Sequence, residues 1–144
     1  MAAASIAIAS DHAGFDLKAA LIDDLQAAGM TVLDLGTHSR DSVDYPDYGE
    51  ALAQAMVSGK AARGVLVCGT GIGISIAANR HKGIRAAHCR DTTDARLARQ
   101  HNDANVIALG SRTTGVEVAK DCLRIFLSTG FDGGRHQPRV DKLG

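Results

Sequence analysis

The run Val65-Leu66-Val67-Cys68-Gly69-Thr70-Gly71-Ile72-Gly73-Ile74-Ser75 places a thiol, a hydroxyl and three alternating glycines together. Cys68 ends an apolar segment that reads as a buried strand, and a helix is expected to begin at Ile72. Glycines let a ligand approach the backbone closely, and a helix start offers unpaired N–H groups to an anion. Those N–H groups also favour a thiolate. The chemistry on offer is proton transfer by sulfur beside a cradle for developing negative charge. Cys68 has a second reading, as a small buried hydrophobe. The glycines could likewise serve tight strand-to-helix packing alone, although that needs only one or two of them.

Nucleotide motifs fit the loop poorly. A dinucleotide fingerprint needs G-x-G-x-x-G, but Gly73 arrives one residue early and Ile74 holds the expected place. A P-loop needs a lysine, and none occurs between Lys60 and Lys82. Ser75 lacks the G-x-S-x-G setting of a hydrolase elbow.

Other polar residues gather at segment ends. Asp11 and His12 follow the first apolar run, and Ser111 and Arg112 follow the last. His101 and Asn102 close a helical segment. There they could complement the dipole and end the helix, or work as an acid–base pair near neutral pH. Arg135 and Arg139 lie four apart in the tail. Singly each reads as a solvated charge. With His12 and Arg112 they would suit a phosphate, provided the tail folds back or reaches a neighbouring subunit. His38, His81, His88 and His136 show no metal-ligand spacing, so neither a metal nor another cofactor is expected.

The elements that must position these groups alternate. Strands are expected over Ser5–Ser10, Thr31–Leu35, Gly64–Cys68, Ile84–Cys89 and Val106–Leu109. Helices are expected over Phe15–Ala28, from Pro46 to Gly59, over Ile72–Arg80, from Asp91 to about His101, and over Thr114–Leu127, the last with Val118, Cys122, Ile125 and Phe126 inward. Residues 37–45 read as a polar loop. The tail from Gly130 to Gly144 has no core pattern and needs a docking surface. Alternation of this kind gives an α/β fold, a Rossmann-like three-layer α/β/α sandwich with a five-stranded parallel sheet. Ligands of such sheets bind beyond the carboxyl ends of the strands, where Asp11, Cys68 to Gly73 and Arg112 all fall.

Bulk properties narrow the function. The 144 residues, 45% hydrophobic, suit one domain over 1–144. Sixteen basic and sixteen acidic residues cancel, which argues against a nucleic-acid partner, and 3% aromatics are too few for a stacking platform. No apolar run reaches membrane length, and the start lacks the pattern of a signal peptide. Three cysteines without CxxC spacing fit a reduced, cytoplasmic setting.

Taken in order, several motifs resemble the type B ribose-5-phosphate isomerase family, which includes galactose-6-phosphate isomerase subunits. They are Ser10-Asp11-His12-Ala13-Gly14-Phe15, Val43-Asp44-Tyr45-Pro46, Cys68 through Asn79, Arg99-Gln100-His101-Asn102-Asp103, Gly110-Ser111-Arg112, and Gly133-Gly134-Arg135-His136-Gln137-Pro138-Arg139-Val140. The resemblance covers nearly the whole chain. It implies interconversion of an aldose phosphate and a ketose phosphate through an enediol. It casts Cys68 as the base, Thr70 beside the reacting oxygens, and the backbone of Gly69, Gly71, Ile72 and Gly73 as the enediolate cradle. His101 would open the sugar ring, Asn102 would hold a hydroxyl and Asp11 would contact the sugar. His12, Arg112, Arg135 and Arg139 would bind phosphate. A further branch carries a glutamate base where Ile74 stands here, so this chain resembles the cysteine branch. The resemblance also implies a homodimer, or a tetramer, with sites shared between subunits. Ribose 5-phosphate is the expected substrate. The alternatives are a six-carbon sugar phosphate such as allose or galactose 6-phosphate, and a non-catalytic phosphosugar sensor.

Overall fold

The structure, a computed structural model, describes residues 6–144. The expected strand start at Ser5 lies outside those residues. The elements run β1 (Ile6–Ser10), α1 (Phe15–Ala27), β2 (Val32–Asp34), α2 (Tyr45–Val57), β3 (Arg63–Cys68), α3 (Ile72–Asn79), β4 (Ala86–His88), α4 (Thr92–Asn102), β5 (Val106–Gly110), α5 (Val116–Ser128), a 3₁₀ turn (Gly134–His136) and α6 (Gln137–Asp141). All neighbouring strands pair in parallel, in the order β2-β1-β3-β5-β4.

The central strands are apolar throughout because both sheet faces are covered. Side chains alternate between the faces. Ile6, Ile8, Val65, Val67, Ile107 and Leu109 pack with α1, α4 and α5. Ala7, Ala9, Leu66, Cys68, Val106 and Ala108 face the other way, with α2 and α3. Cys68 is thus on the α3 side, under the helix its own loop begins. From β1 the chain moves outward to β2, then returns past β1 to β3. The crevice left by that reversal opens beyond the ends of β1 and β3.

Some boundaries differ from expectation for local reasons. Helix α2 starts at Tyr45, with Pro46 in its first turn, where a missing N–H costs nothing. Strand β4 starts at Ala86 and not Ile84, because the Arg85 N–H donates to Asn105 Oδ1 at 2.8 Å instead of a ladder carbonyl. Helix α5 starts at Val116. Its buried face is Ala119, Cys122, Leu123 and Phe126, whereas Val118, expected inward, is 43% exposed. Among the described residues no helix is long and apolar enough to cross a membrane.

Candidate active site

Three strand ends are stitched into one floor. The Ser111 N–H donates to Cys68 O and the Arg112 N–H to Gly69 O, both at 2.9 Å. The Ser111 hydroxyl donates to Ala13 O at 2.8 Å, which ties in the loop after β1. Asp11, itself buried, accepts the Gly14 N–H at 3.0 Å and so shapes the entry to α1. Above this floor lies a cleft of about 440 Å³, lined by Asp11, His12, Tyr45, Cys68, Gly69, Thr70, Ile72, Gly73 and Arg112.

Backbone dominates the centre of the cleft. Cys68 is buried, and the Gly71 N–H donates to its sulfur at 3.1 Å. Gly71 has φ 80°, in the left-handed region where a side chain is strained. A Cβ there would also fall 2.8 Å from His88 Cδ2 and 2.9 Å from the Leu109 carbonyl carbon. The Thr70 hydroxyl accepts the Ile72 N–H at 3.2 Å. The turn after Cys68 therefore aims the Gly71 N–H at the sulfur and the Ile72 N–H at the Thr70 hydroxyl, where α3 begins, an arrangement suited to negative charge. Ile74 is fully buried in the core and lies outside the cleft.

His12 has a defined role for each ring nitrogen. Its Nδ1 receives the Val43 N–H at 3.1 Å. A backbone N–H only donates, so Nδ1 carries no proton and the neutral ring holds its proton on Nε2. Arg40 pairs with Asp16, at 2.7 Å, and gives the loop before α2 a second tether. Tyr45 belongs to the Val43-Asp44-Tyr45-Pro46 motif, but the sequence assigns it no place in the site. A Cβ on Gly73 would lie 2.6 Å from its ring, so that glycine makes room for the Tyr45 wall of the cleft. The available signal was a rare aromatic residue in a polar loop.

His101, Asn102, Arg135 and Arg139 do not line this cleft. Helix α4 leaves the carboxyl end of β4 and runs back, about 16 Å for its length, so it delivers His101 and Asn102 to the opposite end of the sheet. The tail docks there as well. The Asp132 N–H donates to Gln100 O at 3.0 Å, and the His136 ring stacks on His101 at 4.3 Å with an interplanar angle of 15°. Partial burial, then the charges of His101, Arg135 and Arg139, push the His136 pKa below its ordinary value against the pull of Asp132. The candidate site residues thus fall into two groups within one chain, a cleft and a corner.

Donor atoms of His101, Asp132 and His136 lie within 4.8 Å of one another, a grouping the sequence spacing hid. The near-parallel rings direct their in-plane lone pairs along separate planes instead of towards one point. The other two cysteines lie in the core. Burial, then nearby Asp94, pushes the Cys89 thiol up to about 12, and burial, then Asp91, pushes Cys122 up to about 11. Both are poor nucleophiles at neutral pH.

Compared with known families, residues 6–143 match the model described as Ribose/Galactose Isomerase. The chain belongs to that family. It is 47% identical over 138 residues to ribose-5-phosphate isomerase B of Escherichia coli, covering 96% of this chain and 93% of that protein. It is 48% identical over 141 residues to D-erythrulose-4-phosphate isomerase of Pectobacterium atrosepticum, covering 97% and 93%. A solved ribose 5-phosphate isomerase from Thermotoga maritima superposes with a TM-score of 0.96 at 52% identity, covering 98% of this chain and 97% of that one. A ribose/galactose isomerase is an aldose–ketose isomerase, and the parallel α/β sheet found here is shared with the solved relative.

Proposed function

We propose that this chain interconverts ribose 5-phosphate and ribulose 5-phosphate through an enediol, with Cys68 as the base. The observation that carries the reading is the Cys68 sulfur at the cleft floor, held by the Gly71 N–H at 3.1 Å. No other side chain of the loop from Gly69 to Ile74 is a strong base. The Cys68 thiolate takes the proton from C2 of the open-chain aldose and returns it to C1. The negative charge that develops on the oxygens meets the N–H groups of Gly69 to Gly73, with Thr70 beside them. Asp11 contacts the sugar. His12 offers Nε2–H and Arg112 its guanidinium to the phosphate.

His101, Asn102, Arg135 and Arg139 complete the site from a second subunit. Two observations support that arrangement. None of the four lines the cleft of its own chain, and α4 carries His101 and Asn102 towards the other end of the sheet. Beside the cleft, Ile72 and Ile76 of α3 and Tyr45 at the start of α2 are 51%, 59% and 41% exposed, an apolar surface suited to a second copy. In this arrangement His101 opens the furanose ring, Asn102 holds a hydroxyl and the tail arginines close on the phosphate. The protein then works as a homodimer, with its chemistry at a shared boundary.

The test is solvent exchange. In deuterated water, ribose 5-phosphate is expected to gain deuterium at C2 as ribulose 5-phosphate forms. A protein that binds the sugar phosphate without any exchange would be a sensor, and the isomerase reading would fall. Comparing kcat/KM for erythrulose 4-phosphate, ribose 5-phosphate and allose 6-phosphate fixes the carbon number. A clear preference for either of the other two would overturn the choice of ribose.

A further inference from the structure

The corner contains a buried guanidinium with no assigned task. Arg99 lies two residues before His101 in the last turn of α4, where a basic residue would ordinarily point into water. It is only 3% exposed. Its Nη1 donates to Asp103 Oδ1 at 2.9 Å and to Ala104 O at 2.6 Å, and its Nε donates to Thr129 O at 3.1 Å. Its guanidinium carbon sits 5.9 Å from the centre of the Phe126 ring. One side chain therefore joins the end of α4, the turn into β5 and the residue from which the tail departs.

The backbone at this joint needs holding. Asp103 has φ 46°, the only positive φ at a non-glycine position among the described residues. Arg85 grips the same residue, its Nε donating to Asp103 O at 2.9 Å. Burying a charge at such a place costs stability unless it is paired and hydrogen-bonded, and Asp103 supplies the pair at 2.9 Å. The three acceptors of Arg99 belong to segments that carry His101 and Asn102 on one side and Arg135, His136 and Arg139 on the other. A lysine would keep the charge but lose the planar fork that reaches them together.

We propose that Arg99 is a positioning residue for the isomerase reaction, setting His101 and Asn102 and the root of the tail relative to each other. This rests on the proposed roles of those residues. Ribulose 5-phosphate has no free hydroxyl that closes a five-membered ring, so deuterium exchange at its C1 needs the base and not ring opening. Arg99→Lys is expected to stay folded and to lower kcat on ribose 5-phosphate by roughly 10–100-fold, as small misplacements do. Its KM should rise as the tail arginines loosen. Exchange at C1 of saturating ribulose 5-phosphate should stay within about threefold of wild type, and guanidinium ion should restore part of the turnover of Arg99→Ala. Unchanged kcat and KM in Arg99→Lys, or exchange falling in step with turnover, would overturn the proposal. If the wild-type protein shows neither turnover nor exchange, the isomerase reading is what fails. The ring carbon NMR shifts of His101 and His136 then decide the positioning claim. Loss of their stacking shifts in Arg99→Lys supports it, and retention refutes it.

Discussion

The cleft and the corner solve the same problem with different materials. The cleft is set by backbone. Glycine conformations, strand-end hydrogen bonds and one helix start place the N–H groups around Cys68, and the side chains involved are small. The corner is set by long charged side chains. Arg99 and Arg85 clamp Asp103, and His136 is laid on His101 by the docked tail. Backbone placement leaves little freedom and tolerates no added atoms. Side-chain clamps can be weakened in steps. The two regions should therefore fail differently when perturbed, abruptly in the cleft and gradually in the corner.

The largest expected effect is at the cleft floor. Cys68→Ala removes the proposed base but leaves the glycine turn intact, so circular dichroism and thermal unfolding should change little. Turnover should fall by about 10²–10⁴-fold, the usual range for a lost general base. A variant that keeps near-normal activity would move the chemistry out of the cleft.

Next in size is the turn itself. Gly71→Ala adds a Cβ 2.8 Å from His88 Cδ2 and 2.9 Å from the Leu109 carbonyl carbon, at φ 80°. The left-handed penalty alone is about 1–2 kcal/mol, and the clash adds to it. Gly29→Ala is the matched control, with φ 82° and nothing within 4 Å of the new Cβ. Denaturant unfolding of both variants separates strain from crowding. Gly71→Ala should lose more stability than Gly29→Ala and nearly all activity, whereas Gly29→Ala should remain active. Equal losses in the two would mean that the turn around Cys68 has slack.

The same contrast governs what could be read from the sequence. The strand and helix order was legible because apolar runs and helical spacing are local. The cleft was legible for a related reason, since Cys68 and its glycines are consecutive and strand ends of a parallel sheet share one edge. The tail pattern left two routes open, folding back or reaching a neighbouring subunit, whereas the separation of His101 and Asn102 from the cleft lies in the antiparallel return of α4. Arg99 was hidden because a basic residue at a helix end looks solvated, and only the packing of Phe126 and the Thr129 carbonyl reveals its burial. Val118 was misplaced by the same limit: i, i+4 spacing from Cys122 fits the buried stripe and its neighbouring exposed row equally well. Tyr45 depended on Gly73, 28 positions away, for the room its ring occupies.

The smallest expected effect is a pH dependence confined to the corner. His136 has its pKa lowered in the folded protein, first by partial burial and then by His101, Arg135 and Arg139. Between that lowered value and the ordinary histidine value near 6.5, the unfolded chain binds more protons than the folded one. Stability must then rise with pH across the window and fall as pH drops through it. His136→Asn removes the titrating ring from the stack. Thermal midpoints measured from pH 5 to pH 7.5 should climb less steeply in this variant than in the wild type. Gly71→Ala introduces no titrating group, so its midpoint should sit lower at every pH with the wild-type slope. A steeper climb in His136→Asn would mean that the folded protein favours the protonated ring, so that the pull of Asp132 outweighs burial and the charges of His101, Arg135 and Arg139.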